Sequence, residues 1–370
     1  MRRRSSAPVR SAGKSATKRG RIASGSAHGD WVTLGRDGRL TLYAPTEDGL
    51  LRWTETTVGG PGWSGPHFVP VTGLTALTVV QGANAYVHFF GRRERAGVDG
   101  APHVDIVHAI QYQTGLAITD WRSLGGPHRD RGQGREVGPP VGAVAADGTV
   151  YVFVRDARGG LALRREAPGG AWRAWEDLGG GGMDAPPAPI ALAGGRLEVC
   201  AAAETGVLVW RQQEPGGEFT GPRGFALRPV PGTVAALETG PDRATFFWTD
   251  ADSGGAAAWR DGDWPTELGG SSAGRPYACV RAVVDGYDCV VLAYRNADGS
   301  AVLGTGGTEN EADGFWWYAL AEPCQGAPAL ARDGLGRVVT ALIAPDGVPR
   351  VARQEDSAGL TLTRWQALSG

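Results

Sequence analysis

The chain has 370 residues with 59 Gly, 24 Pro and 13 Trp, and its formal net charge is −2. No apolar run approaches the roughly 18 residues of a membrane-crossing helix, which argues against membrane insertion. A chain of this length ordinarily makes two or three domains, unless a repeat gathers it into one body.

Charge is concentrated at the start. Residues 1–28 hold eight Arg or Lys, including both lysines of the protein (Lys14 and Lys18), and no acid, leaving about −10 on the remainder. With Val9 and Ile22 as its only large aliphatics, segment 1–29 is expected to be a disordered basic arm, because it cannot bury enough apolar surface to offset its ordering entropy. The plain reading of the arm is a solubilising extension; the sharper one is contact with nucleic acid, a protein partner or another acidic surface. Arg2, Arg3 and Arg4 resemble the start of an export signal, but no hydrophobic segment follows. A cytoplasmic protein, or one released without a recognisable signal peptide, is therefore expected.

From residue 30 onward the chain repeats. Seven second strands can be aligned in order: "RLTLYAPTEDGLLRW" at 39–53, "NAYVHFFGRR" at 84–93, "TVYVFVRDARGGLAL" at 149–163, "RLEVCAAAETGVLVW" at 196–210, "RATFFWTDADSGGAAAW" at 243–259, "CVVLAYRNADGSAVL" at 289–303 and "RVVTALIAPDGVPRV" at 337–351. The equivalent positions Leu40, Ala85, Val150, Leu197, Ala244, Val290 and Val338 are 45, 65, 47, 47, 46 and 48 residues apart. Each unit reads as four strands joined by Asp-Gly or Gly-Gly turns, as in unit three at Asp147-Gly148 and Gly169-Gly170. The fold class is all-β: a single seven-bladed β-propeller of four-stranded blades over 30–370, preceded by the basic arm. The blades fall at about 30–72, 73–126, 139–180, 185–229, 232–270, 275–322 and 326–370.

A phrase of Trp, Leu and Gly recurs with the units: "WRSLGG" from Trp121, "WRAWEDLGG" from Trp172, "WPTELGG" from Trp264, "WQALSG" from Trp365 and "WVTLGR" from Trp31. The Trp is expected to wedge between adjacent blades near the outer rim, with the Gly pair turning the chain inward. The chain begins on a first strand and ends on a fourth, so no strand is left to complete a blade begun at the other terminus. Closure should rest on packing of blade seven against blade one, with Trp31 and Trp365 near that seam. Cys200, Cys279, Cys289 and Cys324 show no C-x-x-C spacing and are expected to be free thiols. A two-residue turn at Asp285-Gly286 would set Cys279 opposite Leu292 and not opposite Cys289.

The "W…LGG" strands, "DGR/DGT" hairpins and "VFVRD"-type second strands resemble the seven-bladed bacterial lectins of the fucose-binding propeller type. The resemblance spans about 30–370 and is strongest in unit three. It implies no cofactor and a glycan or small polar ligand, held in shallow sites between blades. The position of Arg155 is occupied by Pro45, Phe90, Ala202, Thr249, Arg295 and Ile343 elsewhere, and Phe219 replaces the fourth-strand Trp of unit four. Sites implied by the resemblance are thus confined to the surroundings of Arg155 and Trp175 and of Arg295 and Trp317.

Catalytic motifs are missing from the sequence: there is no H-E-x-x-H, P-loop, G-x-S-x-G or dinucleotide fingerprint. His88 and His108 fall on adjacent strands of unit two, but no third metal ligand is visible and no metal is expected. Unit two also carries two insertions, 91–103 and 126–136, that leave one face of the ring. They bring together Arg92, Arg93, Arg95, His103, His128, Arg129 and Arg131, with mixed charge suited to local ion pairing or a polar partner. Three readings follow: a non-enzymatic carbohydrate-binding propeller, which is favoured; a protein-interaction scaffold in a larger particle or biosynthetic assembly; and an enzyme with its site at one mouth of the channel.

Overall fold

Tight turns at glycine build the hairpins. In blade six, Asp285 and Gly286 both take positive φ, 51° and 82°, the conformation a two-residue hairpin needs to match strand twist. Val284 accordingly pairs with Tyr287, and Cys279 lies opposite Leu292. All four cysteines are free. A computed structural model of the chain describes residues 27–97 and 101–368. It shows seven antiparallel meanders, each made from strands consecutive in the sequence, arranged as a seven-bladed β-propeller. Blade six is typical: Ala278–Val284, Tyr287–Arg295, Ser300–Gly307 and Trp316–Pro323.

The core lies between blades. Tyr151, Phe153 and Leu163 of blade three pack on Val199 and Trp210 of blade four, and Val290 and Leu292 of blade six pack on Phe247 and Ala258 of blade five. Because both faces of a blade are covered, Val150–Val154 is buried at every position, and the strand reads as an unbroken apolar run. Burying one such side chain stabilises the fold by roughly 1.5–3 kcal/mol.

The Trp–Leu–Gly phrase is a bond between neighbouring blades. The Trp175 indole N–H donates to the Leu124 carbonyl of blade two at 3.0 Å, and that of Trp317 donates to the Leu268 carbonyl of blade five at 2.6 Å. In blade four, where Phe219 holds the fourth-strand position, Trp210 on the third strand donates to the Leu178 carbonyl at 2.9 Å. The second glycine of the phrase is required by this approach. A Cβ on Gly180 would sit 2.8 Å from the Trp210 ring, and one on Gly270 would sit 2.8 Å from that of Trp317. Trp31 is a different case, since it precedes the first strand of blade one, Val32–Leu34.

Blade seven closes on blade one by packing, with no shared strand. Ala329, Val339, Ile343 and Val351 of blade seven join Leu40, Leu42 and Trp53 of blade one in one cluster. At its centre, Arg353 Nη2 lies 2.6 Å from Glu55 Oε1, with both side chains buried. Trp31 is in that cluster, but the expected seam position of Trp365 is not observed. Trp365 packs with Ala301, Leu320 and Leu342 between blades six and seven, because a fourth-strand Trp reaches back to the preceding blade.

The start of the chain also differs from expectation. Residues 27–29 belong to the ring: Ala27 is buried, and His28–Gly29 runs parallel to Leu74–Gln81, adding a fifth strand to the inner edge of blade two. The inner strand otherwise presents unpaired backbone groups to the channel, and this short strand satisfies some of them. The remainder of the basic arm lies outside the described residues. Among those residues, no helix is long and apolar enough to cross a membrane.

Candidate functional site: an open cleft between blades six and seven

Adjacent blades diverge toward the rim, and in four of the seven blades an arginine at one position of the third strand fills the gap. In blade three it is Arg165, paired across the ladder with Tyr151; in blade four Arg211, paired with Glu198; in blade seven Arg353, paired with Val339. Arg260 of blade five directly follows Trp259, whose partner is Phe246, and so takes the same place. Each arginine grips an acid of the next blade. Arg165 meets Glu218 at 2.8 Å, Arg211 meets Asp261 at 2.9 Å, Arg260 meets Glu311 at 2.5 Å and Arg353 meets Glu55 at 2.6 Å. The arginine stem covers apolar surface while its head joins the two blades.

Blade six breaks the pattern. Its third strand reads Gly304-Thr305-Gly306-Gly307, and Thr305, paired with Val291, stands where the arginine would be. The glycines leave room on one face for Phe315 and Trp317: a Cβ on Gly304 would be 2.3 Å from Trp317, and one on Gly306 would be 2.5 Å from Phe315. Those rings join the cluster with blade five. Strand alternation turns the intervening residues to the other face, and Tyr318 packs with Leu330 and Leu360 of blade seven.

The result is a cleft of about 1050 Å³ between blades six and seven. Tyr287 and Trp316 are among its walls, and they are 73% and 61% exposed. Large aromatics are seldom left so open on a soluble surface without a partner. Polar groups enter from the hairpin at 285–288 and from the connection at 310–313. Asp285 accepts the Gly359 N–H at 2.9 Å, Asp288 holds Arg281 through both carboxylate oxygens, and Asp313 accepts from the Asn310 amide at 2.6 Å. The hydrogen bonds from Arg281 hold the Asp288 carboxyl below its ordinary range. The Tyr318 hydroxyl is buried with no hydrogen-bond partner among the described residues, and burial pushes it up to about 12.

The residues suggested by the sequence are dispersed. Trp317 borders this cleft, although its indole N–H is committed to blade five. Arg295 does not join it: Arg295 pairs with Ala301 and Trp317 with Gly304, three residues or about 10 Å apart along the third strand. Arg295 instead donates to the Cys324 carbonyl at 2.9 Å. Blade three repeats the separation. Arg155 pairs with Leu161 and donates to the Glu136 carbonyl, while Glu176, next to Trp175, pairs with Leu163.

The two insertions of blade two touch one another. Residues 87–96 and 102–111 form a lengthened β-ribbon, and residues 131–135 a single helical turn capped by Asp130. Arg92 crosses between them, donating to the carbonyls of Arg135 at 2.8 Å and Val137 at 3.0 Å. Arg93 and Arg95 both bind the buried Asp105, at 3.0 and 2.9 Å. His128 accepts the Ala157 N–H at 3.1 Å. His103 pairs with Arg95 on the ribbon, and Arg129 is exposed at the start of the helical turn; Arg131 opens that turn.

His88 and His108 stack 5.4 Å apart with Nδ1 and Nε2 at 3.1 Å. Burial lowers them to about 4 and about 3, the charge on each ring further disfavouring that on the other at His108. Among the described residues, no group of three or more His, Cys, Asp or Glu is placed to hold a metal ion. Sequence reasoning missed Tyr287, Thr305, Asp313 and Trp316. The available signal was the contrast between "RRE", "WRQ", "WRD" and "ARQ" in four of the seven third strands and the glycine-rich "GTGG" of blade six, with "WTE" in blade one also lacking the arginine.

No family model matches the chain, and no curated protein matches it by sequence. Solved structures resemble it in fold. The BP39L lectin from Burkholderia pseudomallei superposes with a TM-score of 0.69 at 15% identity, over 93% of this chain and 100% of that one. The SapL1 lectin, solved in complex with α-methyl fucoside, gives 0.50 at 13% identity over 94% and 97%. An ulvan lyase of a polysaccharide lyase family gives 0.55 at 12% identity over 94% and 96%. At these identities the likeness is one of architecture.

Proposed function

We propose that this chain is a non-enzymatic carbohydrate-binding propeller and that its saccharide site is the cleft between blades six and seven. The observation that carries the reading is the pair of exposed aromatics, Trp316 and Tyr287, beside a gap that four other blades fill with an arginine. A pyranose presents a face of C–H groups to an aromatic ring and hydroxyls at its edge. Here the rings supply the apolar platform, and Asp285, Asn310 and Asp313 supply directional acceptors and donors, the mixture expected of a small-ligand site. Lectins among the structural neighbours agree with this reading.

The lyase neighbour raises catalysis as the second reading. Proton abstraction next to a carboxylate needs a base whose pKa lies near the working pH. Burial raises the Tyr318 hydroxyl to about 12 and raises the Cys289 thiol, so neither suits that task, which favours binding over turnover. A glycan array followed by calorimetry on wild type and Trp316→Ala tests the proposal. Binding in wild type, weakened about tenfold or more by the variant, is expected. Equal affinity of the two proteins for every retained glycan would show that the site lies elsewhere.

A further inference from the structure

The cleft is unusual among the blade junctions in its charge as well as its space. Asp285, Asp288 and Asp313 all line it, whereas no Lys, Arg or His does. Asp288 is neutralised by Arg281, at 2.5 Å and 2.8 Å. Among the described residues the other two carboxylates meet neutral donors: Asp285 the backbone of Gly359, and Asp313 the amide of Asn310. Asp313 shares the wall of the cleft with the exposed indole of Trp316, three residues on. The chain between them is close to that ring: a Cβ on Gly314 would stand 3.8 Å from it.

An uncompensated carboxylate next to an exposed indole is a cation-binding arrangement, since the ring face and the acid attract the same positive group. From this juxtaposition we infer that the cleft selects saccharides carrying a free ammonium group, such as 2-amino-2-deoxy-hexose oligomers, over N-acetylated and uronate-containing ones. The inference rests on the saccharide reading given above and adds the class of ligand. The ammonium takes its place between Asp313 and the Trp316 face, with Asp285 across the cleft adding to the attraction. A uronate or sulfated sugar brings negative charge into the same space and is repelled.

The test is calorimetric titration of the full chain with tetramers of glucosamine, N-acetylglucosamine and a glucuronate-containing sugar, at mildly acid pH where the amines are protonated. The glucosamine tetramer is expected to bind about tenfold tighter than the N-acetylated one, with the gap narrowing at high salt. In Asp313→Asn the gap between the two tetramers should close, because asparagine still accepts from Asn310 but carries no charge. Equal or tighter binding of the N-acetylated or glucuronate tetramer, with sensitivity to Trp316→Ala retained, overturns the charge inference and leaves the saccharide site standing. If no tetramer binds, or if Trp316→Ala binds all three as wild type does, both the inference and the site fall.

Discussion

The junctions on either side of blade six use the same scaffold for opposite ends. Between blades five and six, Arg260 reaches across to the buried Glu311 and the space is closed. Between blades six and seven, Thr305 holds the corresponding position, the glycines beside it admit flat aromatic rings on the blade-five side, and the space stays open. The third-strand position thus separates these two junctions, whereas blade one also carries a threonine there, Thr54, and Arg52 two residues earlier reaches blade two instead. The junction of blades two and three is filled in a third way, by the stacked histidines with His108 against Trp172 at 5.2 Å.

Several changes would break or sharpen this contrast. The largest effect is expected at the closed junctions. Arg353→Ala strips a buried carboxylate of its partner at the seam that closes the ring, and should cost about 3–5 kcal/mol in denaturant unfolding. The double change Arg353→Met with Glu55→Leu removes both charges and should recover much of that loss. Thr305→Ala, at the open junction, should cost less than about 1 kcal/mol. A small loss in Arg353→Ala would mean that the ring does not depend on this pair.

Next in size is the reciprocal change. Thr305→Arg places at the open junction the residue that fills four others, and should abolish saccharide binding while circular dichroism and the unfolding midpoint stay close to wild type. Retained binding would separate the ligand site from this position.

Acid should then act on the histidine-filled junction. The folded values of His88 and His108, about 4 and about 3, lie below the ordinary 6.5. The folded protein thus binds fewer protons than the unfolded one across that interval, and stability should fall as pH drops from about 6.5 toward 4. Asp30, enclosed by the inner strands though open to channel water, has the opposite sign. Burial raises it to about 6, so its ionisation lowers stability as pH rises through that value. His108→Phe should flatten the acid limb of a melting-temperature profile and Asp30→Asn the limb near pH 6; unchanged slopes would show that neither group is linked to folding.

The smallest effects belong to the insertions of blade two, and here the sequence and the structure differ in detail. Mixed surface charge suggests that both loops could be shortened with little change in stability. Asp105 is nevertheless buried, and Arg93 and Arg95 satisfy it, so a deletion that removes both arginines should be felt. Arg129→Ala, at an exposed position, should shift the melting temperature by less than about a degree.

The architecture was legible because a blade must repeat its own solution. Trp175 could be read as a wedge from the recurring phrase, and the Asp285-Gly286 turn fixed a register that the structure shows residue for residue, whereas Trp264, expected to wedge likewise, stands 90% exposed. Trp365 was misplaced at the closing seam because the sequence does not say toward which neighbour a fourth-strand Trp leans. The cleft was hidden for a related reason. Repeats draw attention to residues that recur, whereas the opening lies where an arginine fails to recur beside a run of glycines, and its walls come from loops of two consecutive blades. Arg295 and Trp317 looked like partners because they share a blade, yet the register sets them three residues apart along the sheet.

The dependence of function on one unfilled junction is tested most directly by calorimetric stoichiometry, using the tightest glycan from the array on wild type and Thr305→Arg. One saccharide bound per chain in wild type and none in the variant is the expected result. Several equivalent sites per chain, or undiminished binding by Thr305→Arg, would show that the ring presents its sugars somewhere other than the cleft between blades six and seven.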